Sequence, residues 1–306
     1  LEMDALAAAF FRQTLARGRV AHSYLFSGPD AVGKKTLALA FAAALACRDL
    51  TAGDACGACG SCRKMMSGQH PDFHLLATQA QFIRIDAIRG IQEQMTFKPL
   101  EGRRRIFILD EADRMNEQAA NALLKTLEEP SADNILILVT ARPYWLPQTI
   151  LSRCRHVRFA PLSAPTVARY LTEHATLTPS RAAVLASLSG GSIGRALELN
   201  AEETMAYREA LGNILAGADG GPLPAPLTLA AFLGQDKREI RQGLASLKSY
   251  FRDALVFRET AAAALLINAD ALPLVSGLAG RLTGEELLDN IAHVEKADQT
   301  IEMNVN

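Results

Sequence analysis

Cysteine is scarce in this sequence, with five in 306 residues, and four of them (Cys47, Cys56, Cys59 and Cys62) fall in one short stretch. That is too few and too clustered for the disulfide framework of a small secreted protein. An excess of charge of either sign is missing too. The 32 Lys and Arg residues face 33 Asp and Glu residues, for a formal net charge of −1. This excludes a globally basic nucleic-acid binder and leaves only a local patch for any DNA contact. Long hydrophobic runs are also absent. The longest apolar helical pattern, Leu37 to Cys47, falls well short of the ~20 residues that cross a bilayer. The early run Ala5 to Phe11 follows Glu2 and Asp4 without a basic leader, so no secretory signal is read there. A cytoplasmic protein with no membrane partner is expected.

What is present points to a globular chain. Hydrophobic residues make up 49% and charged residues 21% of the sequence, and the length suits two or three domains of about 100–200 residues each. The most informative stretch is Gly28-Pro29-Asp30-Ala31-Val32-Gly33-Lys34-Lys35-Thr36. A strand-like run, Tyr24-Leu25-Phe26, enters it, and the Ala/Leu-rich helix leaves it. Strand, glycine loop and helix form a phosphate-binding loop: Gly28 and Gly33 let backbone N–H groups turn inward, and the helix N-terminus adds partial positive charge. Lys34 stands where an ammonium reaches the outer phosphates of a nucleotide. The next position ordinarily carries the Ser or Thr that holds magnesium, and here it is Lys35. Thr36 has the hydroxyl but lies one residue late, about 100° further round a helix. ATP with magnesium is therefore in doubt from the first motif.

The cysteine cluster follows in a loop with Gly53, Gly57 and Gly60. Cys-x-x-Cys-x-x-Cys with an upstream cysteine offers four thiolates, a closed set for a structural tetrahedral zinc. An iron–sulfur cluster or a redox dithiol are the weaker alternatives; no proline follows the last cysteine and nothing else points to electron transfer.

Phe82, Ile83 and Ile85 read as a short strand before a helix capped by Asp86. Gly102-Arg103-Arg104-Arg105 reads as a solvated basic turn. Ile106-Phe107-Ile108-Leu109 then reads as a buried strand of a parallel sheet, ending in Asp110-Glu111-Ala112-Asp113. Carboxylates at that end of a strand face the ligand crevice. Asp110 could hold magnesium and Glu111 could polarise a water. A helix from Asn116 to Glu129, a buried strand Ile135 to Val139 and an edge strand Val157 to Phe159 follow. Pro161 and Pro165 mark a boundary, and from there the pattern is helical. A Gly/Pro-rich loop spans Gly217 to Pro226.

These motifs together resemble one family. Residues 20 to 160 are similar to the AAA+ module of DNA polymerase clamp loaders, as in bacterial gamma/tau subunits and eukaryotic replication factor C. The resemblance rests on His22 to Gly28, the phosphate loop, the four cysteines, Asp110 to Asp113, Asn121 to Pro130, and Leu146-Pro147 running into Ile150-Leu151-Ser152-Arg153-Cys154. It implies an α/β P-loop domain, a parallel sheet flanked by helices, over 1–161 with a zinc module at 47–62. A helical lid over 162–201 and an all-α collar over 202–306 would follow. The zinc loop points to the bacterial branch, hence to a component of the DNA polymerase III holoenzyme.

Within the family, three nucleotide-touching positions are shifted or blunted: Lys35, Ala141 with Thr140 one place early, and Gly194 with Arg195 displaced by one. Arg153 is intact, and in this family that arginine reaches a neighbouring subunit's ATP in trans. The pattern resembles a static ring member with weak or no ATPase of its own. The implied partners are gamma/tau and delta subunits, the sliding clamp, and primed DNA through the assembled complex. The alternative is an ATPase motor of the gamma/tau type, favoured by Lys34, Asp110 and Glu111.

Overall fold

The structure is a computed structural model that describes residues 5–78, 80–217, 226–234 and 236–302. The chain divides into two compact units, Leu1–Pro161 and Leu162–Asn306.

The first unit runs α1 (Ala5–Ala16), β1 (Ser23–Ser27), α2 (Lys34–Ala46), α3 (Gly60–Met66), β2 (Phe73–Leu76), α4 (Ile85–Met95), β3 (Arg105–Leu109), α5 (Glu117–Glu128), β4 (Asn134–Thr140), α6 (Gln148–Leu151) and β5 (Arg155–Arg158). Its five strands form a parallel sheet in the order β2-β3-β4-β1-β5. Every residue of β1, β3 and β4 is buried. This is why those segments read as unbroken apolar runs rather than as alternating ones: helices cover both faces of the sheet.

Successive side chains point to opposite faces of a strand. Leu25, Phe107, Leu136 and Leu138 therefore pack on Ile88 of α4 and Leu123 of α5. Tyr24, Phe26, Ile106 and Ile137 pack the other way, on Phe11 of α1 and on Leu37 and Phe41 of α2. Full burial of each such side chain stabilises the fold by roughly 1.5–3 kcal/mol.

Three local expectations fail here, for physical reasons. The segment at Phe82–Ile85 is not a strand. Phe82 is exposed, Ile83 makes one isolated parallel bridge with Met115, and α4 already begins at Ile85. Asp86 does not cap that helix; Arg84 holds the cap position, and Asp86 sits in the first turn, where its charge still favours the helix dipole. Arg105 is not in a solvated turn. It is the first residue of β3, only 3% exposed, and its guanidinium donates to His74 Nε2 at 2.9 Å and lies 3.8 Å from Asp72 Oδ1. The edge strand β2 goes unread in the sequence because it is short and partly exposed.

Asp72, 1% exposed, organises that edge. Its carboxylate accepts the backbone N–H groups of Leu100 at 2.7 Å and of Glu101 and Gly102 at 2.8 Å. Burial alone would raise its pKa; the donors at Leu100, Gly102 and Glu101 outweigh that and hold it below the ordinary 3.8.

The second unit is helical: α7 (Ala164–His174), α8 (Pro179–Leu188), α9 (Ile193–Glu198), α10 (Ala201–Ala216), α11 (Pro226–Leu233), α12 (Lys237–Thr260), α13 (Leu272–Arg281) and α14 (Gly284–Glu302). The first three helices share a core of Val167, Leu171, Ala182, Leu185 and Ala196. The later ones pack around Leu211, Leu247, Phe251, Leu278 and Leu287. The loop expected at Gly217–Pro226 falls largely outside the described residues. Inside the later core lies a buried polar network. Arg208 Nη2 donates to Asn268 Oδ1 at 2.5 Å, and Asn268 donates its backbone N–H and its Nδ2 to Asp253 Oδ2 at 2.6 and 2.8 Å. Among the described residues no helix is long and apolar enough to cross a membrane.

Candidate functional site

Gly28 follows β1 with φ 149°, and a Cβ there would stand 2.3 Å from the carbonyl oxygen of Phe159. Only glycine permits that approach. Gly33, φ 100°, turns the chain left-handed into α2. Lys34 opens the helix nearly buried and folds its ammonium back on the loop, donating to Gly28 O at 2.7 Å and Pro29 O at 2.5 Å. Burial lowers the Lys34 pKa, and the nearby carboxylates of Asp30, Asp110 and Asp113 oppose that shift.

The next residue changes the character of the site. Lys35 Nζ lies 2.9 Å from Asp110 Oδ2. The other oxygen, Asp110 Oδ1, accepts the Glu111 N–H at 3.1 Å. The sheet explains the meeting: β4 lies between β1 and β3, so the loop after β1 and the acidic end of β3 share the carboxyl edge, one strand apart.

The neighbouring acids are also engaged. Glu111, at φ 50°, is ion-paired with Arg114, whose guanidinium further donates to the carbonyls of Thr78, Ala80 and Gln81. Asp113 Oδ1 accepts the Thr140 hydroxyl at 2.6 Å. Thr36 lies exposed on α2. Of the residues read as nucleotide-touching, Gly28, Gly33, Lys34, Lys35, Asp110 and Glu111 come together at one sheet edge. Arg195 lies in the second unit on α9, its N–H bonded to the capping Ser192 Oγ at 3.1 Å. These residues do not fit a magnesium ion. The position of the coordinating hydroxyl is an ammonium, and that ammonium already pairs with the carboxylate an ion would use.

Arg153 stands between α6 and β5. Its Nη2 lies 2.8 Å from Glu128 Oε1, and its Nη1 donates to Thr149 O at 3.0 Å. The Ser23 hydroxyl donates to the Arg153 carbonyl at 2.8 Å and ties the segment to the start of β1. The adjoining Cys154 is buried, which pushes its thiol up to about 11. A cleft of about 340 Å³ opens at the amino edge of the sheet, lined among others by His22, Gln92, Lys125 and Asn134.

The sulfurs of Cys47, Cys56, Cys59 and Cys62 all lie within 4.8 Å of one another, and Cys56 and Cys62 are 3.9 Å apart. Four thiolates at ~2.3 Å from a tetrahedral ion stand about 3.8 Å apart, so the donor set fits a thiolate-bound metal. Backbone N–H groups point at three of the sulfurs: Cys56 to Cys47 at 3.4 Å, Cys59 to Cys56 at 3.3 Å and Cys62 to Cys59 at 3.4 Å. N–H donors at Arg48 and Cys62 bring the Cys59 thiol down to about 6, while burial pushes Cys62 up to about 12. The loop is clamped from outside by Arg12 of α1, whose Nε and Nη2 reach the Asp54 carboxylate at 3.1 and 2.7 Å. On the inside, Ser61 Oγ donates to Ala46 O at 2.7 Å. The four cysteines can hold a metal, and four protein ligands leave no open position on it.

Comparison with known proteins gives the family. The family model described as "DNA polymerase III, delta subunit" matches residues 3–163. The Bacillus subtilis DNA polymerase III subunit delta' is 34% identical over 197 residues, which cover 64% of this chain and 59% of the relative. The Pseudomonas aeruginosa subunit delta' is 37% identical over 187 residues, 60% of this chain and 57% of the relative. The match thus spans less than two thirds of the length of either protein. The Escherichia coli subunit delta' is 31% identical over 284 residues, 91% of this chain and 83% of the relative. With half its length on the family model and nearly all of it aligned to a delta' protein, the chain belongs to the DNA polymerase III delta-subunit family of AAA+ clamp-loader proteins.

Proposed function

We propose that this chain is the delta'-type stator of a clamp loader, the ring that uses ATP to open a sliding clamp and set it on primed DNA. In this reading it occupies a fixed place beside a gamma/tau-type motor and a delta subunit, with the helices after residue 202 joining the ring. It turns over no ATP of its own. The observation that carries the reading is the Lys35–Asp110 pair: the residue that would ligate magnesium is engaged by an ammonium of the same chain. Arg153 supports the complementary half. It sits partly exposed at the end of a short helix, where a guanidinium can be offered to the γ-phosphate on a neighbouring motor, and charge supplied there accelerates phosphoryl transfer by ~10³ or more. The metal of the cysteine cluster is zinc in this reading, because four thiolates in a closed tetrahedral set favour that ion, and its role is to hold the 47–62 loop in shape.

A gamma/tau-type motor is the second reading, favoured by the retained Lys34, Asp110 and Glu111. Steady-state ATP hydrolysis by the purified chain separates the two. The stator shows a negligible rate alone and restores turnover to a loader lacking this subunit; robust hydrolysis by the chain alone sinks the stator reading.

A further inference from the structure

The residues of the phosphate loop disagree with the ion that such a loop normally uses, and the disagreement has a structural form. An ordinary loop holds a divalent cation between the hydroxyl that follows its lysine and an acid at the end of the neighbouring buried strand. Here the acid is present as Asp110, at the end of β3, and the hydroxyl is replaced by an amine that reaches it, with Lys35 Nζ at 2.9 Å from Asp110 Oδ2. The ammonium and the missing ion would occupy one place. We propose that Lys35 is a tethered substitute for the divalent cation, and that this one side chain closes the loop to magnesium–nucleotide complexes.

Three observations support the assignment. First, Asp110 is already satisfied without an ion, since Lys35 and the Glu111 N–H serve one carboxylate oxygen each. Second, the two other acids at the end of β3 are engaged: Asp113 Oδ1 accepts the Thr140 hydroxyl, and the Glu111 carboxylate is ion-paired with Arg114. A hard cation with near-octahedral demands would have to break these contacts and also sit beside a like charge. Third, the rest of the loop is built. Gly28 and Gly33 adopt positive φ, and Lys34 opens a helix of 13 residues. Within the loop itself, the departure is thus confined to the position after Lys34. A loop decayed by general loss of constraint would be expected to lose its glycines as well.

Lys35 is 44% exposed, so its pair with Asp110 is a weak contributor to folding, and replacing it leaves a folded chain. This makes the test direct. The full chain is titrated with Mn²⁺ in the presence of ATP, and retained ion is read by electron paramagnetic resonance. Magnesium–ATP affinity is read separately by calorimetry. The wild-type chain retains no stoichiometric Mn²⁺. Lys35→Thr, which restores the hydroxyl and frees Asp110, retains about one ion per chain and gains about tenfold or more in magnesium–ATP affinity. Lys35→Arg keeps the charge and stays closed. Lys35→Met, uncharged but without a hydroxyl, gains less than the Thr variant.

A wild-type chain that holds Mn²⁺ with ATP overturns the proposal. So does a folded Lys35→Thr chain that gains neither ion nor affinity. Neither result depends on the chain entering a ring, so failure here is distinguishable from failure of the stator reading, which the reconstituted loader tests.

Discussion

Arg153 is held 2.8 Å from Glu128, at the last turn of α5, by an ion pair that the isolated chain can surrender cheaply. Both side chains are substantially exposed, at 36% and 50%, and such pairs are worth roughly 0–1 kcal/mol. Arg153→Ala should therefore leave the melting temperature of the purified chain nearly unchanged. In a reconstituted loader the same variant should depress ATP turnover by ~10³ at the affected site. An undiminished rate removes the trans role of Arg153.

The cysteine cluster predicts a local effect of metal removal. Metal analysis should return about one zinc per chain. Stripping the ion should open the 47–62 segment to proteolysis while the sheet keeps its circular dichroism, because the core side chains of β1, β3 and β4 pack on other helices. Cys56→Ser should reproduce the local opening. A metal-free chain that resists cleavage there would argue against a metal that shapes the loop.

Asp72 predicts acid sensitivity at one edge of the sheet. Its pKa is lower folded than unfolded, so its contribution is complete above the ordinary carboxylate value of 3.8 and is lost as pH falls below it towards the folded pKa. Asp72→Ala orphans three backbone donors and leaves Arg105 buried without its counter-charge, a cost of about 3–5 kcal/mol. Denaturant unfolding of wild type and variant at pH 7 and near pH 3 checks both statements. The difference between the two proteins should shrink in acid.

In the second unit, Asp253→Ala should destabilise by about 3 kcal/mol, since in a buried setting the Asn268 backbone N–H would lose its acceptor and Asn268 Nδ2 would keep only Ser249 Oγ. Asp253→Ala and Asn268→Ala combined should cost less than the sum of the two single changes if the pair acts as a unit. Chemical denaturation of the four proteins completes that cycle.

Legibility followed sequence distance. The phosphate loop, the acidic end of β3 and the cysteine spacing are local patterns, and each was readable because the chemistry lies within a few adjacent residues. The departure at Lys35 was equally visible. Its partner was not, because Lys35 and Asp110 meet only through the strand order. Asp72 gave no signal for the same reason: it acts on backbone donors at Leu100, Glu101 and Gly102, which any residue types could supply. Three consecutive arginines suggest solvent for Arg105, whereas the half-buried His74 and the buried Asp72 provide it with partners. The apolar helix faces of the second unit were plain from their spacing, but nothing in that spacing announces the network around Arg208 and Asn268.

The close approach of Gly28 to Phe159 sets an order of events during synthesis. β1 leaves the ribosome early, yet both of its sheet neighbours, β4 and β5, are translated much later; the tie from Ser23 to Arg153 alone spans 130 residues. Until those neighbours emerge, Tyr24, Leu25 and Phe26 have no strand on either side, and the first glycine of the loop has no carbonyl to turn against. The phosphate loop, encoded near the start of the first unit, is thus among the last of its parts to be set. A nascent chain halted before β4, at residue 134, carries an unpaired apolar strand, the kind of segment that chaperones hold and that aggregates when they do not.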